Sequence, residues 1–151
     1  MLKRNRISVY IIFFFVIVSC KPKTKNELFI ELLNTITNNS IDIKTKAIVI
    51  ISDNGCFKCN ERFSNLIKKI YYNETIKIII SANENIIDIS EYKSNPIKNI
   101  YFDTEKKLYN ENFISTSTVL FFKNQQIDTI AEISANDLNS KLDYIQSKLQ
   151  N

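Results

Sequence analysis

The sequence predicts an α/β fold in three layers: a central mixed sheet, helices on both of its faces, and a C-terminal β-hairpin followed by a helix. Three observations carry that prediction. Ala47-Ile48-Val49-Ile50-Ile51 is an unbroken aliphatic stretch, and the run from Ile76 to Ile80 is isoleucine interrupted only by Lys77. They read as strands covered on both faces, because a strand with one wet face alternates apolar and polar residues. Segments with apolar residues at helical spacing stand before, between and after these runs. Two further strand-like stretches, 118–123 and 126–133, flank Asn124-Gln125 as a hairpin would. Strands alternating with helices imply a partly parallel sheet between helical layers.

Taken in order, Thr24 and Glu27 have capping-box spacing. A helix is expected from there to about residue 38, with Leu28, Leu32 and Ile36 along one face. The aliphatic strand at 47–51 follows, and then the loop Ser52-Asp53-Asn54-Gly55. A second helix is expected over 56–72, burying Phe63, Leu66, Ile67 and Ile70. After the strand at 76–80, residues 82–97 are the least regular, although Ile86, Ile87 and Ile89 fit a short helix packed on the sheet. A strand over 97–102 and a short helix over 104–112 lead to the hairpin. Ser134 and Asp137 fit the cap of a last helix, whose apolar stripe is Leu138, Leu142, Ile145 and Leu149.

The N-terminus reads as a targeting segment. Lys3, Arg4 and Arg6 precede an unbroken apolar run from Val9 to Val18. That run is about half the ~20 residues a spanning helix needs, and Ser19-Cys20-Lys21-Pro22-Lys23 ends it at once. Such a shape is that of a signal peptide. Ile17-Val18-Ser19-Cys20 resembles the bacterial lipoprotein signal, in which a small residue precedes a cysteine that takes a diacylglyceryl group and becomes the mature N-terminus. The expected organisation is a signal peptide at 1–19, a lipidated tether at 20–25 and one domain at 26–151. An uncleaved anchor with an incidental Cys20 is the alternative. Either would tether a bacterial domain to a membrane on its extracytoplasmic, periplasm-facing side.

Composition narrows the function classes. The formal charge of +4 includes Lys3, Arg4 and Arg6; without them 17 basic residues face 16 acidic ones. No clustered basic face suited to nucleic acid is legible, so no nucleic-acid partner is expected. Lys21, Lys23 and Lys25 form the one basic cluster, placed to touch anionic headgroups or simply to solvate the tether. The chain has no histidine, which removes Ser-His-Asp and Cys-His hydrolysis. There is no Gly-rich phosphate loop.

Two of the three cysteines remain to be explained, and they form Cys56-Phe57-Lys58-Cys59 directly after Gly55, the one glycine of the chain. A strand leading through a loop into a helix aims the helix N-terminus at that loop. There the unpaired first-turn N–H groups and the macrodipole favour a thiolate. Cβ atoms three residues apart on a helix face lie about 5–6 Å from one another, within reach of a disulfide after a small adjustment. Cys56 is therefore expected to be the nucleophile and the less exposed Cys59 the resolving thiol. Lys58 either lowers the Cys56 pKa or is one more solvated lysine. Phe57 either lines the sulfurs with apolar surface or tucks into the core. Gly55 permits a positive φ or the close approach of a partner chain. Asp53 is the acid nearest the thiols along the chain; loop acids of this kind are usually solvated. With no histidine and no second cysteine pair, a closed zinc site would need a dimer or carboxylates; copper held by the two thiolates is a competing use, and so is a purely structural disulfide. A bridge across one helical turn, however, closes almost no chain.

With these residues in place, the chain from about Ala47 to the C-terminus resembles the thioredoxin-fold proteins, nearest to extracytoplasmic thioredoxin-like lipoproteins and TlpA-like disulfide reductases. The resemblance rests on Ile48-Val49-Ile50-Ile51 leading into Cys56-Phe57-Lys58-Cys59. It rests also on Tyr101-Phe102-Asp103-Thr104-Glu105-Lys106-Lys107-Leu108-Tyr109 and on Thr116-Ser117-Thr118-Val119-Leu120-Phe121-Phe122-Lys123-Asn124. It implies a thiol–disulfide oxidoreductase that needs no cofactor or metal, acts as a monomer, and takes protein thiols and disulfides as partners. Thr116-Ser117-Thr118 stands at the family's Thr-Pro-Thr loop, with Ser117 at its cis-proline. Because a non-proline cis bond costs roughly 3 kcal/mol, Ser117 is expected to be trans or strained. Gly55 replaces a frequent tryptophan, and Ile50 stands where some members carry a buried acid. The rival class is a non-catalytic thioredoxin-fold lipoprotein, either a binding module or a Cu(I) carrier.

Overall fold

The computed structural model describes residues 22–83, 92–93 and 98–150. The signal segment, Cys20 and the helix expected around Ile86, Ile87 and Ile89 lie outside them. The chain divides into two units at Ile30/Glu31. In the first, Thr24 and Glu27 form the expected capping box. The Thr24 N–H and hydroxyl donate to Glu27 Oε2 at 2.7 and 3.0 Å, and the Glu27 N–H donates back to Thr24 Oγ1 at 3.2 Å. These bonds, the backbone one first, hold the Glu27 carboxyl below the usual carboxylate range. They open helix α1, Lys25–Ile36.

The second unit holds the sheet. Among the described residues it contains β1 (Ala47–Ser52), α2 (Phe57–Ile67), β2 (Ile76–Ser81), β3 (Ile100–Phe102), α3 (Lys107–Asn110), β4 (Thr118–Lys123), β5 (Gln126–Glu132) and α4 (Leu138–Gln150). The five strands lie in the order β3-β2-β1-β4-β5. β1 runs parallel to β2, and β2 to β3, while β4 is antiparallel to both β1 and β5. This mixed sheet, with the four helices found among the described residues, is compatible with a thioredoxin-like α/β fold. Among the described residues no helix is long and apolar enough to cross a membrane.

Alternation along the strands divides the core into two layers. Val49 and Ile51 of β1, Ile78 and Ile80 of β2, and Val119 of β4 join one cluster with Phe63 and Ile67 of α2 and Ile145 and Leu149 of α4. Their neighbours Ile48, Ile50, Ile79 and Leu120 face the other way and are also fully buried, as is Leu108 of α3. All six residues of β1 are buried, as its uninterrupted aliphatic run requires. The hairpin turns at Asn124 and Gln125, with φ of 52° and 62°. Two left-handed residues match the turn to the strand twist. In α4, Leu138 and Leu142 pack partly against the cluster that Ile145 and Leu149 enter fully.

Four expectations need correction. The inward stripe of α1 is not Leu28, Leu32 and Ile36: Leu33 is fully buried, Leu32 and Ile36 are half-buried, and Leu28 is 45% exposed. Leucines or isoleucines at 28, 30, 32, 33 and 36 make a wide apolar arc, whose centre turns inward instead of its edge. Helix α2 stops at Ile67 and not near 72, its end tightening through i to i+3 bonds from Lys69 to Leu66 and from Ile70 to Ile67. The strand expected at 97–102 begins at Ile100, because Asn99 turns its amide onto the carbonyls of Tyr71, Asn73 and Ile76. The helix expected over 104–112 is one turn, Lys107–Asn110. Asp103 caps it by accepting from the Lys107 and Leu108 N–H groups, and Lys106 before it is left-handed at φ 52°.

Candidate functional site

The loop Asp53–Cys56 runs from the C-terminal end of β1 to the N-terminus of α2. Cys56 is not the first helical residue but the N-cap, with extended backbone at φ −75° and ψ 114°. Its sulfur accepts the Cys59 N–H at 3.3 Å, taking the place a serine or aspartate oxygen holds in an ordinary N-cap. Cys56 and Cys59 are joined by a disulfide, with Cα atoms 5.1 Å apart. Exposure separates the two sulfur-bearing residues: Cys56 is half-buried, whereas Cys59 is 2% exposed within the α2 core cluster. No acidic residue stands in the first turn of α2 to offset the positive helix end.

The neighbours fall into place around that pair. Phe57 is 73% exposed, so it is surface beside the disulfide and not core, and Lys58 is exposed as well. Gly55 has φ +89°, and a Cβ built on it would lie 2.9 Å from Thr116 Oγ1. The Thr116–Ser117 loop therefore lies directly against the segment that carries Cys56. Thr116 is itself anchored by a bond from its hydroxyl to the Ile133 carbonyl, 3.0 Å. Thr118 opens β4 and donates to the Thr116 carbonyl at 2.8 Å. The structure thus brings Gly55, Cys56, Cys59, Thr116 and Ser117 together.

Ser117 is trans, since the described residues contain no cis peptide bond. Its side chain is fully buried and used. Oγ accepts the Ser52 N–H at 3.0 Å and donates to Asn60 Oδ1 at 2.8 Å. Asn60 in turn donates from Nδ2 to the Asn54 carbonyl at 2.9 Å. This chain of bonds joins the end of β1, the loop before Cys56, the first turn of α2 and the loop before β4. Ser52 and Asn60 escaped the sequence reading. The available signal was a polar residue at 60 on the face that also carries Cys59, Phe63 and Ile67, where only a partnered amide can be buried cheaply.

Asp53 is not a solvated loop acid. Its side chain is 1% exposed, pairs with Lys106 Nζ at 2.7 Å and accepts the Asn83 N–H at 2.9 Å. Its second oxygen, Oδ1, is buried with no hydrogen-bond partner among the described residues. Asp53 thus fastens the loop to the segment just after β2 and to the turn before α3. Among the described residues no group of three or more His, Cys, Asp or Glu side chains could hold a metal ion. Comparison of the chain with protein-family models, with curated proteins and with solved structures finds no match in any of the three.

Proposed function

We propose that this chain is a membrane-anchored thiol–disulfide oxidoreductase of thioredoxin-like type, held by lipid on Cys20 and exchanging disulfides with extracytoplasmic proteins. The observation that carries the reading is the Cys56–Cys59 disulfide at the N-cap of α2, one sulfur-bearing residue half-open to solvent and the other buried. In the reducing direction the Cys56 thiolate attacks one sulfur of a partner disulfide. A Cys56–partner bond forms, and the partner's other sulfur leaves as a thiolate that takes up a proton. The Cys59 thiol then gives up its proton and attacks Cys56 Sγ. The intramolecular disulfide closes and the second partner thiol is released. Two electrons and two protons pass to the partner, and the reverse sequence oxidises a dithiol by the same steps. Phe57 offers exposed apolar surface to the partner beside the sulfurs.

Insulin reduction by the full chain, purified in detergent with a thiol reductant, tests the reading. Catalysis is expected, and Cys56→Ser is expected to abolish it. Cys59→Ser is expected to accumulate a Cys56–insulin mixed disulfide. A wild-type rate equal to that of Cys56→Ser defeats the proposal. Stoichiometric Cu(I) binding without insulin reduction would put the carrier in its place.

A further inference from the structure

We infer that Asn60 is a positioning residue for exchange with protein partners, fixing the gap between Cys56 and the Thr116–Ser117 loop; this rests on the exchange reaction proposed above. The chemistry of its neighbours sets its orientation. The Asn54 carbonyl can only accept, so the group 2.9 Å from it must be the Asn60 NH₂. Asn60 Oδ1 then faces Ser117 Oγ at 2.8 Å, and it can only accept. The single Ser117 proton has two acceptors in reach, Asn60 Oδ1 at 2.8 Å and the Ser52 carbonyl at 3.3 Å, and the shorter bond is the one to Asn60, leaving Ser117 Oγ to accept the Ser52 N–H at 3.0 Å. The Asn60 backbone N–H also donates to the Cys56 carbonyl at 3.0 Å. One side chain next to Cys59 thus grips both the strand-to-helix loop that presents Cys56 and the opposite loop, and it is 6% exposed.

The functional consequence follows from the geometry of the exchange. The attacking sulfur, the attacked sulfur and the leaving sulfur must line up, and an error near 1 Å can cost ~100-fold in rate. A protein disulfide arrives with its chain attached and must fit between Cys56 and the Thr116–Ser117 wall. A small aromatic disulfide has no such chain. Loss of the Asn60 bonds lets the two loops drift apart, which penalises the protein substrate selectively. A defect in stability or in thiol reactivity alone would slow both substrates alike.

The test compares the full-length protein with Asn60→Ala, following insulin reduction and the reaction of the reduced pair with 5,5′-dithiobis(2-nitrobenzoate). The ratio of kcat/KM for insulin to the small-disulfide rate constant is expected to fall roughly tenfold, the scale of one lost buried hydrogen bond. Ser117→Ala cuts the same bond from the other side, also takes the acceptor from the Ser52 N–H, and is expected to lower the ratio at least as far. Because the two variants share one bond, the double variant is expected to lose less than the sum of the two. Where Asn60→Ala does not fold, Ser117→Ala alone carries the comparison with the wild type. An unchanged ratio, or additive losses in the double variant, overturns the inference. A wild-type protein that reacts with the small disulfide but not with insulin overturns the exchange reading itself, and the positioning role with it.

Discussion

Gly55 meets two demands at one position. Its φ of +89° suits glycine, and the space where a side chain would begin is held by Thr116. The neighbour cannot yield freely, because the Thr116 hydroxyl is bonded to the Ile133 carbonyl. Gly55→Ala is therefore expected to destabilise the protein by about 1–3 kcal/mol and to slow insulin reduction, measured by urea denaturation and turnover on the same preparation. The ion pair below the loop makes an asymmetric prediction. Asp53 is the buried partner, one of its oxygens is already unpaired, and Lys106 is partly exposed. Lys106→Met leaves a buried carboxylate without its cation and is expected to cost roughly 3 kcal/mol. Asp53→Asn, which keeps an oxygen for the Asn83 N–H and frees a lysine that can reach water, is expected to cost less. Denaturant titrations of the two variants side by side give the order, and the reverse order would show that Lys106 is the member that depends on the pair.

The start of α1 depends on a single carboxylate. Bonds from Thr24 hold the Glu27 carboxyl below its ordinary range. Its contribution to the folded helix is therefore complete above the unfolded-state value and is lost as pH falls through the lower folded-state value. Amide exchange at residues 25–28 is expected to accelerate on acidification across that window, and Glu27→Gln is expected to flatten the dependence. At the hairpin, Gln125 sits at φ 62°, where a side chain is a burden that glycine lacks. Gln125→Gly is expected to raise stability by about 0.5–1 kcal/mol in thermal or urea melts. These elements were legible to different degrees for physical reasons. Strand β1 is an aliphatic run from Ala47 to Ile51, and β2 is isoleucine broken only by Lys77, so burial on both faces could be read directly. The hairpin was legible from two strand-like runs around Asn124-Gln125. The inward face of α1 was not, because its apolar arc is too wide to mark a centre. The length of α3 was not, because Asp103 and the left-handed Lys106 set its start through bonds rather than through periodicity. At the site, the cysteine pair and Gly55 announced themselves by rarity. Asn60, in a chain rich in asparagine, carried no such mark, and Asp53 looked like any loop acid until its partners 30 and 53 residues away were placed.

For the fold as a whole, the question is whether the disulfide holds the sheet together or only reports its redox state. Cys56 and Cys59 are three residues apart. In the chain-entropy picture a loop that short stabilises by about 2 kcal/mol at 25 °C, against ~3 for a fifteen-residue loop. The sheet does not depend on it for register. β1 is paired along its length with β2 and along four residues with β4, and both of its faces are buried. The Ser52–Ser117–Asn60–Asn54 bonds, moreover, cross the site without passing through either sulfur. Reduction is therefore expected to leave the far-ultraviolet circular dichroism at 25 °C unchanged and to lower Tm by no more than roughly 10 °C, since about 2 kcal/mol is a fraction of the 5–15 kcal/mol typical of a domain. A pair that opens without unfolding its scaffold is what reversible exchange requires. Collapse of the secondary structure on reduction, measured by parallel melts with and without a thiol reductant, would identify the bridge as a staple and remove the ground for reading it as a working redox centre.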